Sequence, residues 1–150
     1  MREHHPGMWR AAYALCGRAD LADEAVQGAF ERVVRHASRF DPERPVAPWL
    51  HTIVINETRT LLSARTRRAE VALRDDDVLL PDPAEQILAV DALVEALSGL
   101  NFDSRAAIVL RHLFGYSSSE AGEILGVPAA TVRIRCARAI ARLRDEAKVD

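Results

Sequence analysis

The stretch GEILGVPAATVRIRCARAIARLR, Gly122 to Arg144, carries five arginines and no acidic residue after Glu123. It reads as the end of a short helix, a tight turn at Gly126-Val127-Pro128, and a second helix from about Ala129 to Glu146. That order is the sequence form of a helix-turn-helix. Projected at about 100° per residue, Val132, Cys136, Ala139 and Leu143 fall in an arc of roughly 60° and predict the buried face. The opposite arc holds Ala130, Thr131, Ile134, Arg138 and Ala141, with Arg133, Ala137 and Arg142 at its edges. Short side chains let a backbone approach a groove, arginines reach guanine edges or phosphates, and Ile134 suits a thymine methyl. Charge alone would also fit a solvated amphipathic helix. The turn and the ordered inner seam favour a DNA-reading one.

Working outward, the 150 residues suffice for one medium or two small domains, and 49% hydrophobic content supports a packed core. Aromatics are few, and Ala, Leu, Val and Arg dominate, which favours helices over sheets. Net charge is −2, and 19 of the 20 basic residues are Arg. The charge is unevenly spread: residues 1–68 are net +3, residues 69–103 net −8 and residues 104–150 net +3. This basic–acidic–basic pattern is hidden by the overall balance. No apolar run reaches the roughly 20 residues of a membrane span, and the N-terminus has no leader pattern, so a cytoplasmic location without membrane insertion is expected. Cys16 and Cys136 lack a partner motif and read as small core residues. The five histidines have no ligand spacing, and no nucleophile–base or paired-carboxylate arrangement is present. Neither metal, cofactor nor enzymatic activity is expected.

Helical periodicity predicts helices over 8–18 and 20–37, the second with an apolar stripe of Leu21, Ala25, Val26, Ala29, Val33 and Val34 and with Asp20 as N-cap. Residues 40–48 hold three prolines and form a loop. A third helix starts near Pro48, burying Trp49, Leu50, Ile53, Val54 and Leu61. Residues 69–84, acidic and proline-bearing, read as a linker. Helices resume over 84–98 and 103–114, the latter stopped by Gly115. Ser117–Ser119 then cap the short helix ending at Leu125. The fold class is therefore all-α: two small helical domains, 1–68 and 85–150, joined by the acidic linker.

The back half resembles region 4 of bacterial sigma factors of the extracytoplasmic-function group. Arg105-Ala106-Ala107-Ile108-Val109-Leu110, Ser119 to Pro128, Thr131-Val132-Arg133, Arg135, Arg138-Ala139 and Leu143-Arg144 carry that resemblance. The front half independently resembles region 2, through Ala22-Asp23-Glu24-Ala25-Val26-Gln27-Gly28-Ala29-Phe30 and then Phe40, Trp49-Leu50, Ile53 and Asn56. Two motifs in the right order are far more specific than one helix-turn-helix, and together they cover about Met8 to Arg144.

The resemblance implies a transcription initiation factor that binds core RNA polymerase, at the beta-prime clamp and beta flap, and directs it to promoter DNA. Region 4 would read the minus-thirty-five element through Thr131, Arg133, Ile134, Arg135, Ala137 and Arg138. Region 2 would capture the unwound minus-ten element through Phe40, His51, Thr52, Ile53, Asn56 and the loop 41–47. Arg59, Arg65, Arg67 and Arg68 would hold phosphates. Asp23, Glu24, Gln27 and Phe30 resemble the polymerase-gripping surface. The acidic linker would mimic nucleic acid inside the polymerase or serve as an ordinary solvated connection. Anti-sigma factors are common partners in the family, although nothing in the sequence encodes one.

The chain departs from the family pattern at Thr60, Ser63, Ala121-Gly122, Ala130 and Ile134. It also begins late, so region 2 is expected to be trimmed. A helix-turn-helix regulator acting without polymerase is the competing reading, and a sigma-like protein held by a partner is a third. The Ala22–Phe30 and Trp49–Asn56 motifs argue for the sigma factor, since a plain regulator has no need of them.

Overall fold

The structure, a computed structural model, describes residues 3–71 and 88–149, with side chains over 3–68 and 91–146. Among these residues the regular elements are all helical. Helix α1, His5–Cys16, places Pro6 in its first turn, where a missing N–H costs nothing. It ends at Gly17, whose φ of +70° lets its N–H return to the Tyr13 carbonyl at 2.7 Å. Helix α2, Ala19–His36, starts from an extended Arg18, not from Asp20. Asp20 lies inside the first turn and accepts two hydrogen bonds from the Arg18 guanidinium, at 2.9 and 2.7 Å. These bonds hold its carboxyl below the usual range.

Helix α3, Val46–Val71, begins two residues before Pro48 and runs three residues past the boundary expected at residue 68. The rest of the predicted linker, and the start of the helix expected from residue 84, lie outside the described residues. Helices α1, α2 and α3 bundle around Met8, Ala11, Ala12, Ala22, Ala25, Val26, Ala29, Leu50 and Val54. The alanines allow close helix approach. The predicted α2 stripe is buried at Ala25, Val26, Ala29 and Val33, but Val34, one helical step round, is 74% exposed. A Cβ at Gly28 would lie 3.1 Å from the Glu57 side chain, which pairs with Arg32 at 2.7 Å.

The back half contains α4 (Leu88–Leu97), α5 (Phe102–Ile108), α6 (Ser118–Leu125) and α7 (Ala129–Val149). The single helix expected over 103–114 is instead α5 followed by a wide turn. Asn101 caps α5 by accepting from the Ser104 N–H at 2.9 Å. After Ile108 the chain relaxes into π-type hydrogen bonding over Val109–Leu113, with the Phe114 N–H reaching the Val109 carbonyl at 3.2 Å. Gly115, at φ +73°, then reverses the chain so that the Tyr116 N–H bonds the Leu110 carbonyl at 3.0 Å.

Ser117 caps α6 as expected, in a reciprocal pair with Glu120: the Glu120 N–H donates to Ser117 Oγ and the Ser117 N–H to Glu120 Oε1. Gly122 has a reason to be glycine, because a Cβ there would lie 2.6 Å from the Val127 carbonyl oxygen. The helix-propensity cost of about 1 kcal/mol accompanies a turn too tight for a side chain.

The two halves do not stand apart. Ala14, Leu15 and Ile55 of the front half join Leu97, Leu110, Ile124, Val132 and Cys136 of the back half in one hydrophobic core. Leu15 is fully buried there, a placement that contributes about 1.5–3 kcal/mol for a side chain of its size.

Candidate nucleic-acid interface

Helix α7 has the two faces predicted by projection. Val132, Cys136 and Ala139 are buried and Leu143 is half-buried against the back-half core. Burial also pushes the Cys136 thiol pKa up. Arg133, Ala137 and Arg138 are exposed, and Ile134 is 52% exposed, one of two large apolar side chains so displayed among the described residues. Thr131 is half-buried at the helix start, its N–H on the Pro128 carbonyl at 3.0 Å. Arg135 points to the flank and, with Arg138 and Arg142, lines a cleft against Asn101 and Ser104 at the start of α5. The outer surface thus combines guanidinium donors, small side chains and one exposed apolar group. That chemistry suits base edges, thymine methyls and phosphates.

The corresponding surface on α3 is divided. Phe40 stacks on Trp49 with ring centroids 4.9 Å apart, and both border an open cleft of about 600 Å³ with Thr52, Arg39 and Arg44. The far wall of that cleft is α6, through Glu120, Glu123 and Ile124. Thr52 returns its hydroxyl to the Pro48 carbonyl at 3.0 Å, Ile53 is half-buried and Asn56 is exposed. Arg65 is half-buried, whereas Arg67 and Arg68 are exposed.

His51 and Arg59, by contrast, are engaged by the back half. His51 is 6% exposed, packs on Phe114 at 4.4 Å between centroids, and shares a hydrogen bond between Nδ1 and the Tyr116 hydroxyl at 2.7 Å. Burial, reinforced by nearby His4, lowers its pKa to about 4. Arg59 pairs with Asp103 at 2.8 Å and lies 4.5 Å over the Phe102 ring. Sequence reasoning missed this whole set of partners, Phe102, Asp103, Phe114 and Tyr116. Only the aromatics flanking Gly115 hinted at a special turn, and nothing indicated what they would meet.

On α2, Asp23, Glu24 and Gln27 are exposed and Phe30 is half-buried, stacked on His5 at 6.0 Å. Asp23 also accepts from the Trp9 indole N–H at 2.8 Å, which ties that acidic surface to α1. Cys16, half-buried with its thiol on the Arg18 carbonyl, has its pKa raised to about 11 by burial and is chemically quiet.

Residues 1–68 match the sigma-70 region 2 family and residues 91–143 the sigma-70 region 4 family. The chain is 35% identical over 142 residues to the extracytoplasmic-function RNA polymerase sigma factor SigM of Mycobacterium tuberculosis, covering 95% of this chain and 72% of that one. It is 32% identical over 129 residues to the RNA polymerase sigma factor CarQ of Myxococcus xanthus, covering 83% and 74% of the two chains. Among solved structures it is similar to the sigma factor RpoE of Bartonella quintana in complex with the anti-sigma factor NepR, at a TM-score of 0.78 and 27% identity over 97% of this chain and 92% of that one. It is also similar to CnrH in complex with the cytosolic domain of CnrY, at a TM-score of 0.74 and 29% identity over 99% and 85%. No helix among the described residues is long and apolar enough to cross a membrane. With both halves matched in order and the relatives covered along most of their length, the chain belongs to the extracytoplasmic-function group of sigma-70 factors, transcription initiation factors that bind core RNA polymerase and promoter DNA.

Proposed function

We propose that this factor reads its promoters with two separate surfaces. The outer face of α7 enters the major groove of the minus-thirty-five element, with Arg133, Ile134, Ala137 and Arg138 toward bases and Thr131 and Arg135 toward phosphates. The observation that carries this is the division of α7 into a buried Val132–Cys136–Ala139 seam and an exposed face with both arginines and Ile134. The Phe40–Trp49 cleft, with His51, Thr52, Ile53 and Asn56, takes the unwound minus-ten strand. Aromatic and apolar walls beside an amide suit a splayed base. Arg59, Arg65, Arg67 and Arg68 take the backbone. Asp23, Glu24, Gln27 and Phe30 grip the polymerase beta-prime clamp, and the back half also meets the beta flap.

The factor acts in the cytoplasm, as a binding protein and not an enzyme. An anti-sigma factor is a natural further partner, since the chain matches, over nearly its whole length, a sigma factor solved with such a partner. Reconstitution with bacterial core polymerase tests the reading. Promoter-specific transcripts are expected, and sequencing them identifies the elements. Arg133→Ala and Arg138→Ala should each weaken binding to that promoter by about 1–3 kcal/mol, whereas unchanged affinity would remove them from base contact.

A further inference from the structure

We propose that Glu57, on α3, is a further polymerase-binding residue, whose carboxylate stands where α2 has no side chain of its own, at Gly28. This rests on the reading above that Asp23, Glu24, Gln27 and Phe30 grip the polymerase. Gly28 adjoins that surface: positions 24 and 28 are one helical turn apart, so a side chain at 28 would stand beside Glu24. Glycine is a poor residue for a helix interior, and here it leaves a gap that another helix fills. A Cβ at Gly28 would meet Glu57 Cδ at 3.1 Å, Cγ at 3.2 Å and Oε2 at 3.3 Å. The end of the Glu57 side chain therefore takes the place of the missing one.

The carboxylate is also held there. Arg32, one turn further along α2, donates from Nε to Glu57 Oε1 at 2.7 Å. This bond ties the end of Glu57 to α2 and fixes where it points. Glu57 keeps 13% of its side chain exposed, so an edge of the carboxylate reaches the surface. Glu24 and Glu31 are both exposed, one turn to either side of position 28. With Glu57 between them, three carboxylates follow one another along α2. Placing like charges one turn apart is unfavourable for the isolated fold, and an ion pair with a half-exposed arginine returns little. A row of basic side chains on the polymerase accounts for the arrangement, by charge complementarity across the contact.

The test is the affinity of the full chain for bacterial core polymerase, measured at low and at high salt. Glu57→Gln keeps an oxygen for the Arg32 N–H and removes the charge. It should bind core about tenfold more weakly at low salt, and the difference should shrink as salt rises. Its thermal unfolding midpoint should stay close to that of the unaltered chain, because the pair itself adds little stability. Moving the carboxylate onto α2 is the decisive arm. Gly28→Glu combined with Glu57→Ala should bind core more tightly than Glu57→Ala alone and approach the unaltered chain. A residue that only tied α3 to α2 could not be replaced from position 28, since a side chain there belongs to α2 itself. Unchanged affinity for Glu57→Gln would overturn the proposal, as would a double variant that is folded by circular dichroism yet recovers nothing. Glu24→Gln separates the two readings. If it weakens core binding and Glu57→Gln does not, Glu57 is removed from the contact and the α2 surface stands. If neither weakens binding, the α2 reading fails and this inference fails with it.

Discussion

The outer face of α7 and the equivalent face of α3 both carry arginines, a threonine and an isoleucine, yet the fold treats them oppositely. On α7 the seam of Val132, Cys136 and Ala139 faces the core, and Arg133, Ile134, Ala137 and Arg138 are left open. Of the candidate DNA contacts on α3, only Asn56, Arg67 and Arg68 are exposed, while His51 is buried and Arg59 is paired across the molecule. A helix buries one stripe because only one side meets its own bundle. Helix α3 meets two partners, the front bundle through Leu50 and Val54 and the back half through Ile55 and His51. A surface read from sequence as free can therefore be a surface already in use.

That contrast can be broken most forcefully at Leu15, where the halves share a core. Leu15→Ala should cost about 2–5 kcal/mol through lost burial and a cavity. Urea unfolding should show the loss, and hydrogen exchange should show amides of α7 losing protection along with those of α1. Unchanged protection on α7 would mean that the halves are stabilised independently.

The next effect is titration at His51. Its folded pKa of about 4 lies below the ordinary 6.5, so between those values the unfolded chain binds a proton that the folded chain does not. Stability from this group is complete above pH 6.5 and is lost as pH falls toward 4, by about 3 kcal/mol in all. His51→Gln should flatten that part of the stability-against-pH curve. An unchanged slope would place the histidine in water, and the α3 face would then be open like that of α7.

The smallest effect sharpens the α7 side. Ser117→Ala removes the Oγ that accepts from the Glu120 N–H and should cost about 1 kcal/mol. It should be read as a lower midpoint of thermal unfolding with the His51 pH dependence unchanged.

Much of the architecture is legible in the chain. The α7 seam, the Ser117 cap, the Gly126 turn and the three front helices all follow from spacing and capping chemistry that act within about one or two helical turns. The misses are local where side chains compete: Arg18 draws Asp20 away from the cap position, and α5 gives way to the wide turn at Val109–Leu113. Gly122, a propensity defect in the sequence, becomes necessary only once the Val127 carbonyl is seen beside it.

The sequence by itself determined that this chain is helical, that it carries the motifs of sigma regions 2 and 4, and which side of α7 faces outward. Each of these depends on residues a few positions apart, whose relative direction the helix repeat sets. Only the tertiary structure decided that Tyr116 covers His51, 65 positions away, and that Asp103 takes Arg59, 44 positions away. Such pairs are chosen by shape, burial and charge when two faces meet, and no periodicity along the chain records them.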